Sequence, residues 1–329
     1  MDGNDAKRSL LSHFEELPDP RQPWKVTYPL EEVLFLGLCG VLGGADGWVE
    51  VQMYGQEKIE FLREFLPFKN GVPSHDTLGD VFSALDPGAF RKCFVGWVEG
   101  LCSTFRDIVA IDGKSVRRSH DAGKSPIHMV SAWASQQRLV LGQYKVDGKS
   151  NEITAIPELL DLLALEGSIV TIDAMGCQKA IAEKIRDKGA DYLLALKGNQ
   201  SALQEDVSLW MSEQKDLSFK DVEHDFLETV DGDHGRVETR RYWITSEIDW
   251  LRERHDWRDL RSIGLVESER IIGNERTVAT RLYISSMTAQ ASNFAMAVRG
   301  HWGIENSLHW VLDMVFGDDQ CRIRKDHSP

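Results

Sequence analysis

The amino-acid sequence predicts an α/β fold in two parts, an all-helical N-terminal domain over residues 1–105 and a mixed domain over residues 106–329. Before residue 105, apolar side chains recur at three- and four-residue steps, which is the spacing of amphipathic helices. After residue 105, short apolar runs of strand character alternate with helical segments bounded by capping residues. A length of 329 residues suits two domains, and a hydrophobic content of 42% is enough for a core in each.

The helical pattern of the first part is clearest in three segments. Residues 30–41 are almost continuously apolar, and residues 49–66 place apolar side chains at helical spacing. Ser74 can cap a third helix from Thr77 to Leu85. The sequence therefore predicts a bundle of helices before the first strand.

The order of elements in the second part predicts the topology of its sheet. Strands are expected over residues 108–112, 127–134, 138–146, 168–173 and 192–196, with helices from Ser150 or Asn151 to Leu165 and over residues 177–188. The second and third strands read as a hairpin, so three antiparallel strands are continued by parallel ones through right-handed crossovers. This order matches a ribonuclease H-like core, a mixed five-stranded sheet with flanking helices.

A polar stretch at about residues 200–280 interrupts that order and is predicted to be a β-rich insertion. Strands are expected within it over residues 236–244, 264–270 and 277–285. Residues 291–316 follow, where apolar side chains at three- and four-residue steps predict one long amphipathic helix.

Composition limits the classes of function. No run approaches the 18 apolar residues of a membrane span, and the first five residues lack the layout of a signal peptide, so we expect a cytoplasmic protein without a membrane partner. The five cysteines are odd in number and far apart, without zinc-type pairing, and are expected to be reduced and mostly buried. A net charge of −14 argues superficially against nucleic acid, which requires basic side chains on the binding surface.

Three acids are the candidate catalytic residues and metal ligands. Two strands end at Asp112-Gly113 and Asp173-Ala174, and a carboxylate that follows a buried strand lies at the edge where α/β sheets carry their sites. Glu305 lies on the long helix near the end of the chain. Asp112, Asp173 and Glu305 could hold two Mg²⁺ ions, which Mn²⁺ can replace, with Asp112 on the central strand as the bridging ligand. The alternative for each aspartate alone is a turn-forming or capping residue.

Glu305 has unusual neighbours for a residue on a surface helix. His301 and His309 lie four residues before and after it and share its helix face, and Trp302 and Arg299 are close in sequence. A His-Glu-His site for a transition metal is the alternative, although no thiolate or further histidine lies nearby in the sequence.

Two basic clusters follow the segments that carry the acids. Lys114, Arg117 and Arg118 come directly after Asp112, and Arg322 and Arg324 follow the long helix. These are the places where a phosphate backbone would have to lie if the acids act on DNA. An ordinary solvated charged surface is the alternative.

Several motifs together resemble the DDE transposases of bacterial insertion sequences, and in particular the group called H-repeat-associated proteins. The motifs are Asp112-Gly113-Lys114, Ile172-Asp173-Ala174, Leu196-Lys197-Gly198-Asn199, His234-Gly235-Arg236-Val237-Glu238 and Arg299-x-His301-Trp302-x-Ile304-Glu305-Asn306-x-Leu308-His309-Trp310. Near the start of the chain, Leu17-Pro18-Asp19-Pro20-Arg21 and Pro73-Ser74-His75-Asp76-Thr77-Leu78 resemble the amino-terminal domain associated with that group. The resemblance thus covers nearly the whole chain.

The resemblance implies a function and a set of site residues. Asp112, Asp173 and Glu305 map onto the catalytic triad, and the activity would be metal-dependent cleavage and strand transfer of double-stranded DNA at the terminal inverted repeats and the target. Lys197 and Arg299 would hold phosphate oxygens, with an ordinary ion pair as the alternative for each. The motif residues Asn199, Arg236, His301 and Trp302 are further DNA-binding candidates, and a homo-oligomer on DNA is expected.

The chain departs from related transposases in two respects. A Tyr-x-x-Arg-x-x-x-Glu pattern with a later lysine is replaced by Val298, His301 and Leu312 at the corresponding positions. The sequence also stops at Pro329, where members of the group continue through another helical segment, so a shortened copy is one expectation. Two alternatives stay open: a non-catalytic DNA-binding remnant, and a ribonuclease H-like nuclease of host DNA processing.

Overall fold

The computed structural model describes residues 10–101, 106–119, 126–146, 152–233 and 235–321. Its helices are α1 (Leu30–Leu42), α2 (Trp48–Glu57), α3 (Ile59–Arg63), α4 (His75–Ala84), α5 (Pro87–Leu101), α6 (Glu152–Asp161), α7 (Lys179–Asp187), α8 (Ser201–Asp216), α9 (Asp249–Arg254), α10 (Ala291–Gly303) and α11 (Trp310–Met314). Its strands are β1 (Ile108–Val116), β2 (Ile127–Ala134), β3 (Leu139–Val146), β4 (Ile169–Ile172), β5 (Asp191–Leu196), β6 (His224–Asp233), β7 (Arg236–Thr245), β8 (Ser262–Ile272) and β9 (Glu275–Ser285). No helix among the described residues is long and apolar enough to cross a membrane.

The N-terminal part is helical, as the spacing predicts. Fully buried Leu36, Leu62 and Leu78 pack together between the helices. The Ser74 hydroxyl accepts a hydrogen bond from the Thr77 N–H, as predicted, although α4 begins at His75. The single helix expected over residues 49–66 is wrong, because the chain divides there into α2 and α3, and the sequence did not predict α5.

One sheet of nine strands organises the rest of the chain, in the order β3-β2-β1-β4-β5-β9-β8-β7-β6. The strands β1, β2 and β3 are antiparallel, and β4 and β5 continue the sheet parallel to β1. The expected five-stranded sheet with a separate insertion is therefore wrong in its strand count. Strand β9 pairs antiparallel with β5, at Leu194 opposite Ile284, so the β-rich stretch extends the same sheet by four strands.

The two faces of the sheet are covered by different helices, and β1 shows which is which. Val109 and Ile111 belong to the core that α6 and α7 cover. Ile108 and Ala110, which alternate with them, pack against α10 and the turn that follows it. A Cβ at Gly300 would lie 2.9 Å from Ile108 Cγ2, so glycine there lets α10 approach the strand closely. This alternation decides on which face each later β1 side chain lies.

The long helix predicted over residues 291–316 is not continuous. After α10, residues Ile304–His309 form a π-helical segment, and α-helical geometry resumes at α11. Short π-helical segments inside α-helices are rare and occur often at functional sites. Ile304 and Leu308 are buried against Ala110 and Trp133, which ties the segment to β1 and β2.

The described cysteines are all free thiols. Only Cys177 among them is buried, so the expectation that the cysteines are mostly buried is wrong for Cys39, Cys93 and Cys321. Cys102 lies outside the described residues.

Candidate active site

The first two acids lie side by side on neighbouring parallel strands. The β1–β4 register pairs Ile111 with Ile172, so Asp112 and Asp173 occupy the next positions on strands about 4.8 Å apart. The prediction that β1 ends at Asp112 is wrong, because β1 remains paired with β2 as far as Val116. The pairing with β4 does stop at Ile111, so Asp112 still lies where the parallel part of the sheet ends.

Asp173 also has a local structural role. Its Oδ1 accepts hydrogen bonds from the backbone N–H groups of Met175 at 2.9 Å and Gly176 at 3.4 Å. The turn-forming role that the sequence left open is therefore real, and it leaves the other carboxylate oxygen outside these two bonds.

Glu305 reaches the same region from the π-helical segment, at the exposed rim. The charges of the other two acids act on Asp112: burial, together with the charges of Asp173 and Glu305, raises the pKa of Asp112 to about 7, although the hydrogen bond from the Gly113 N–H lowers it. Partial burial also raises the pKa of the Glu305 carboxyl, while the Arg281 guanidinium lowers it and Asp173 raises it. Asp112 is therefore a carboxyl group that is costly to ionise without a nearby cation.

The two histidines on the Glu305 helix face different partners. The His309 Nδ1 lies 3.7 Å from Asp112 Oδ2, and burial, followed by the Lys114 charge, lowers the pKa of His309 to about 4. The His301 Nδ1 lies 3.1 Å from Thr171 Oγ1, and burial lowers its pKa also. Both imidazoles are neutral at pH 7, so neither neutralises the acids.

The donor set matches a hard divalent cation in its chemistry. Carboxylate oxygens dominate it, and none of the three acids has a lysine or arginine within 4.0 Å among the residues described here. As the side chains stand, no group of three or more His, Cys, Asp or Glu in the described ranges is arranged to hold a metal ion. Carboxylate oxygens are the ligands that Mg²⁺ and Mn²⁺ prefer, so these ions suit the chemistry of the three acids.

The first basic cluster is largely paired with acids. Lys114 Nζ lies 2.7 Å from an Asp313 oxygen, 2.6 Å from Asp318 and 3.4 Å from Asp319. These contacts tie β1 to α11 and to the segment that follows it. The structure places the predicted DNA-binding Lys114 in a structural cluster, and binding a phosphate would require it to leave three carboxylates.

The neighbouring arginines are more accessible. Arg117 is 84% exposed and lies 3.3 Å from Asp319, and Arg118 is exposed on the same turn. The second predicted cluster, Arg322 and Arg324, lies outside the described residues.

The remaining DNA-binding candidates are spread over the molecule. Lys197 is exposed directly after β5, and Asn199 donates a 2.5 Å hydrogen bond to the Ala174 carbonyl, which links the loop after β5 to the loop after β4. Arg236 pairs with Glu238 at the outer end of β7, away from the acids. Arg299 lies 3.3 Å from Asp231, so it faces β6.

Trp302 contacts Arg281, a residue that the sequence did not indicate as part of the site. The Arg281 guanidinium lies 4.7 Å from the centre of the Trp302 ring, in the range of a cation–π contact. Arg281 is also the cation that acts on Glu305 and His301. The predicted strand contained this arginine, but nothing in its local sequence placed it beside residue 305.

Arg281 is part of a cavity of about 400 Å³ between α8 and the sheet. The lining includes the cations Lys197 and Arg281 and a third, Lys215, that is paired with Glu267. The polar side chains of Gln204, Ser208 and Ser212, at four-residue steps on α8, form one wall. That spacing is typical of a helix, but it lies in the stretch predicted to be β-rich, so α8 was not predicted. In a chain with a net charge of −14, this cavity suits an anionic ligand.

Comparisons with known proteins agree on one family. The model described as "Transposase DDE domain" matches residues 103–328, and "DDE_Tnp_1-associated" matches residues 11–98. The Escherichia coli protein named "H repeat-associated putative transposase YhhI" is 40% identical over 98% of this chain and 86% of its own length. A Xanthobacter autotrophicus protein, "Uncharacterized protein in dhlA 3'region", is 47% identical over 84% of this chain and 94% of its own length.

Among solved structures, the piggyBac transposase synaptic complex with hairpin DNA is similar over 95% of this chain and 66% of that chain. The TM-score is 0.41 and the sequence identity is 10%. A score at that level does not establish a shared fold.

Proposed function

Because this chain belongs to the Transposase DDE domain family, we propose that it is a DNA transposase whose catalytic residues are Asp112, Asp173 and Glu305. It would cleave and transfer DNA strands at the terminal inverted repeats of an insertion sequence. One observation carries the assignment of the acids: a parallel register and a π-helical segment place three carboxylates within electrostatic influence of one another, with no lysine or arginine paired to them among the described residues.

The proposed metal ligands have distinct tasks. Asp112 feels the charges of both other acids, and the carboxylates of Asp112, Asp173 and Glu305 together would hold the ions. A pair of Mg²⁺ or Mn²⁺ ions would supply an activated water and neutralise charge on the phosphate oxygens. The protein's own contribution is to hold the carboxylates on strands and on a buried helix segment, with neutral His301 and His309 at the margins of the site.

The fold expectation is part of this proposal. The order β3-β2-β1-β4-β5, with three antiparallel strands followed by two parallel ones, supports a ribonuclease H-like core inside the larger sheet. The acids on β1 and after β4 then belong to its two central strands.

We place the DNA backbone beside Lys197 and Arg281. Both line the cavity between α8 and the sheet, the charge of Arg281 acts on Glu305, and neither cation has an ion-pair partner within 4.0 Å in the part of the chain that the structure describes. Arg118 adds an exposed charge on the turn after β1. Phosphate contacts of this kind position DNA without reading its sequence. The chain would act as a homo-oligomer on DNA, with one copy at each end.

The experiment replaces each acid by its amide. Asp112→Asn, Asp173→Asn and Glu305→Gln should each lower Mg²⁺-dependent nicking of a labelled element end by at least about 10³-fold, because the amide is a poor ligand for Mg²⁺. Binding of the same DNA, measured by fluorescence anisotropy in Ca²⁺, should change by less than about threefold, since phosphate contacts supply most of the affinity.

Glu158→Gln on the exposed face of α6 is the matched control and should cleave like the unaltered protein. Wild-type cleavage by any one of the three acid variants would remove that residue from the site. Tight end binding without cleavage by the unaltered chain would identify the non-catalytic alternative instead.

A further inference from the structure

A histidine and a glutamate form a buried pair on the face of the sheet opposite the candidate active site, and this pair has no part in the function proposed so far. His128 on β2 and Glu152 at the start of α6 are joined by a 2.5 Å contact between Nε2 and Oε1. The other imidazole nitrogen, Nδ1, lies 2.8 Å from the Ser115 hydroxyl on β1. The side chains of His128 and Glu152 are only 2% and 6% exposed. Buried ionisable groups are costly and are seldom kept without a reason.

Glycine at position 113 is what allows this pair to lie against β1. A Cβ at Gly113 would lie 2.4 Å from Glu152 Oε1 and 2.5 Å from His128 Nε2, closer than real contacts allow. Because side chains alternate along a strand, residue 113 faces α6 while Asp112 faces α10 and Glu305. The buried pair therefore contacts the backbone next to Asp112 from the opposite face of the sheet.

The charge of Glu152 is felt at Asp112 despite the strand between them. Glu152 Oε1 lies beside the position that a Cβ of Gly113 would occupy, one residue from Asp112, so only the backbone of one strand separates the two carboxyl groups. A buried negative charge close to a ligand, screened only by protein, disfavours a bare carboxylate and favours one neutralised by a cation.

We propose that Glu152, held in place by His128, is a positioning residue that strengthens divalent-cation binding at Asp112 from behind β1. This inference rests on the proposed function, since it takes Asp112 as a metal ligand. Glu152 touches neither the cation nor the DNA. Its effect is the added negative charge, together with the close packing that fixes the Asp112–Gly113 backbone. Groups of this kind, one step removed from the ligands, commonly change metal affinity by 10- to 100-fold.

A purely structural link between α6 and the sheet is the alternative, because the same contacts would also fix the helix. The two roles respond differently to two substitutions. Glu152→Gln keeps the length of the side chain and can still hydrogen-bond to His128, but it removes the charge. Glu152→Asp keeps the charge but shortens the reach to His128.

The experiment measures Mn²⁺ binding to the full chain without DNA, from the electron-spin-resonance signal of free Mn²⁺, together with the thermal unfolding midpoint. Glu152→Gln should weaken Mn²⁺ binding about tenfold. Glu152→Asp should bind Mn²⁺ more tightly than Glu152→Gln, even if its unfolding midpoint is lower. Glu158→Gln, on the exposed face of the same helix, should match the unaltered protein in both measurements.

Unchanged Mn²⁺ affinity in Glu152→Gln, or weaker binding by Glu152→Asp than by Glu152→Gln, would overturn the inference in favour of the structural link. Asp112→Asn in the same assay distinguishes a failure of the role of Glu152 from a failure of the proposed function. If Asp112→Asn loses Mn²⁺ binding and Glu152→Gln does not, only the role of Glu152 fails. If Asp112→Asn binds Mn²⁺ normally, the proposed function fails and takes this inference with it.

Discussion

The candidate-site acids in the inner half of the nine-stranded sheet and the glutamates in its outer half are held in opposite ways. In the half formed by β1 to β5, burial raises the pKa of Asp112 to about 7, and no lysine or arginine among the described residues pairs with it. In the half formed by β6 to β9, hydrogen bonds from Lys215 and Arg276 hold the pKa values of Glu267 and Glu269 below their usual range. The same chemical group therefore stabilises one half and is held at an energetic cost in the other.

The outer half uses cross-strand ion pairs because much of it faces solvent. Arg241 on β7 lies 2.6 Å from Glu228 on β6 and 3.1 Å from both Glu267 and Glu269 on β8. The last residues of β8 and the first residues of β9 are exposed, so apolar packing contributes little to the stability of this part of the sheet. Acids without a basic partner do not stabilise the fold, so their presence in the inner half indicates a functional site there.

Truncating a buried side chain in the inner half should have the largest effect on stability. Leu194 on β5 is fully buried in the main core, and Leu194→Ala should lower the free energy of unfolding by about 2–5 kcal/mol. Val278→Ala on the exposed end of β9 should change it by less than about 0.5 kcal/mol. Urea titration followed by circular dichroism measures both, and equal losses would contradict the contrast between the halves.

The raised pKa of Asp112 predicts how stability depends on pH in metal-free protein. The pKa is 3.8 for the unperturbed group and about 7 in the folded state, so the folded protein holds this proton more tightly. The bound proton therefore contributes fully to the free energy of unfolding below about pH 4, and this contribution is lost as the pH rises to about 7. The change in the free energy of unfolding is on the order of 2–4 kcal/mol.

The difference in unfolding free energy between Asp112→Asn and the unaltered protein isolates this effect. Relative to the unaltered protein, Asp112→Asn should gain stability between pH 4 and pH 7 in a chelator-containing buffer. A difference that stays constant across this range would mean that Asp112 is ionised throughout. Added Mn²⁺ should reduce the difference at pH 7, since it binds the carboxylate that the proton otherwise occupies.

Breaking the ion-pair network of the outer half should have a smaller effect. Arg241→Ala removes contacts to three glutamates and should cost about 1 kcal/mol, and less at high salt, because the network is partly exposed. Arg118→Ala, at an exposed arginine on the turn after β1, is the matched control and should have no measurable effect. A loss for Arg241→Ala that does not change between 50 mM and 1 M salt would show that packing, and not charge, is responsible.

The smallest effect is expected from a single proposed phosphate contact. Lys197→Gln should weaken binding to any DNA sequence by a similar factor and reduce the slope of log Kd against log salt by about 1. Lys114→Gln should leave the slope unchanged, because Lys114 is paired with three aspartates, although it should lower the unfolding midpoint. Anisotropy titrations at several salt concentrations distinguish these outcomes, and a changed slope for Lys114→Gln would show that the aspartates release it.

Local sequence was sufficient for the inner half of the sheet. The strands β2 to β5 lie close to their predicted positions and β1 begins where predicted, although it continues to Val116, since apolar runs bounded by glycine and capping residues encode these strands directly. Strand β6 was missed because Asp225, Glu228 and Asp231 give it poor strand propensity, and its partners Arg240 and Arg241 become visible only across the ladder. Helix α8 was missed because it lies in a stretch interpreted as β-rich.

The candidate acids were accessible to sequence reasoning, but their surroundings were not. A strand that ends its parallel pairing at an aspartate leaves a local pattern, and the Glu305 region is rich in His and Trp. Arg281, the cavity behind it and the His128–Glu152 pair join residues far apart in the chain. The residues next to them in the sequence do not predict those contacts.

The sequence by itself determined the helical first part and the apolar strands of the inner sheet, and it indicated the three candidate acids, because each depends on side chains that are neighbours along the chain. Only the tertiary structure decided that the insertion extends the same sheet, that Lys114 is bound by aspartates, and that Glu152 lies behind Asp112. Those outcomes depend on which buried groups meet across strands, where charge and burial act over a few ångströms of space regardless of separation in sequence.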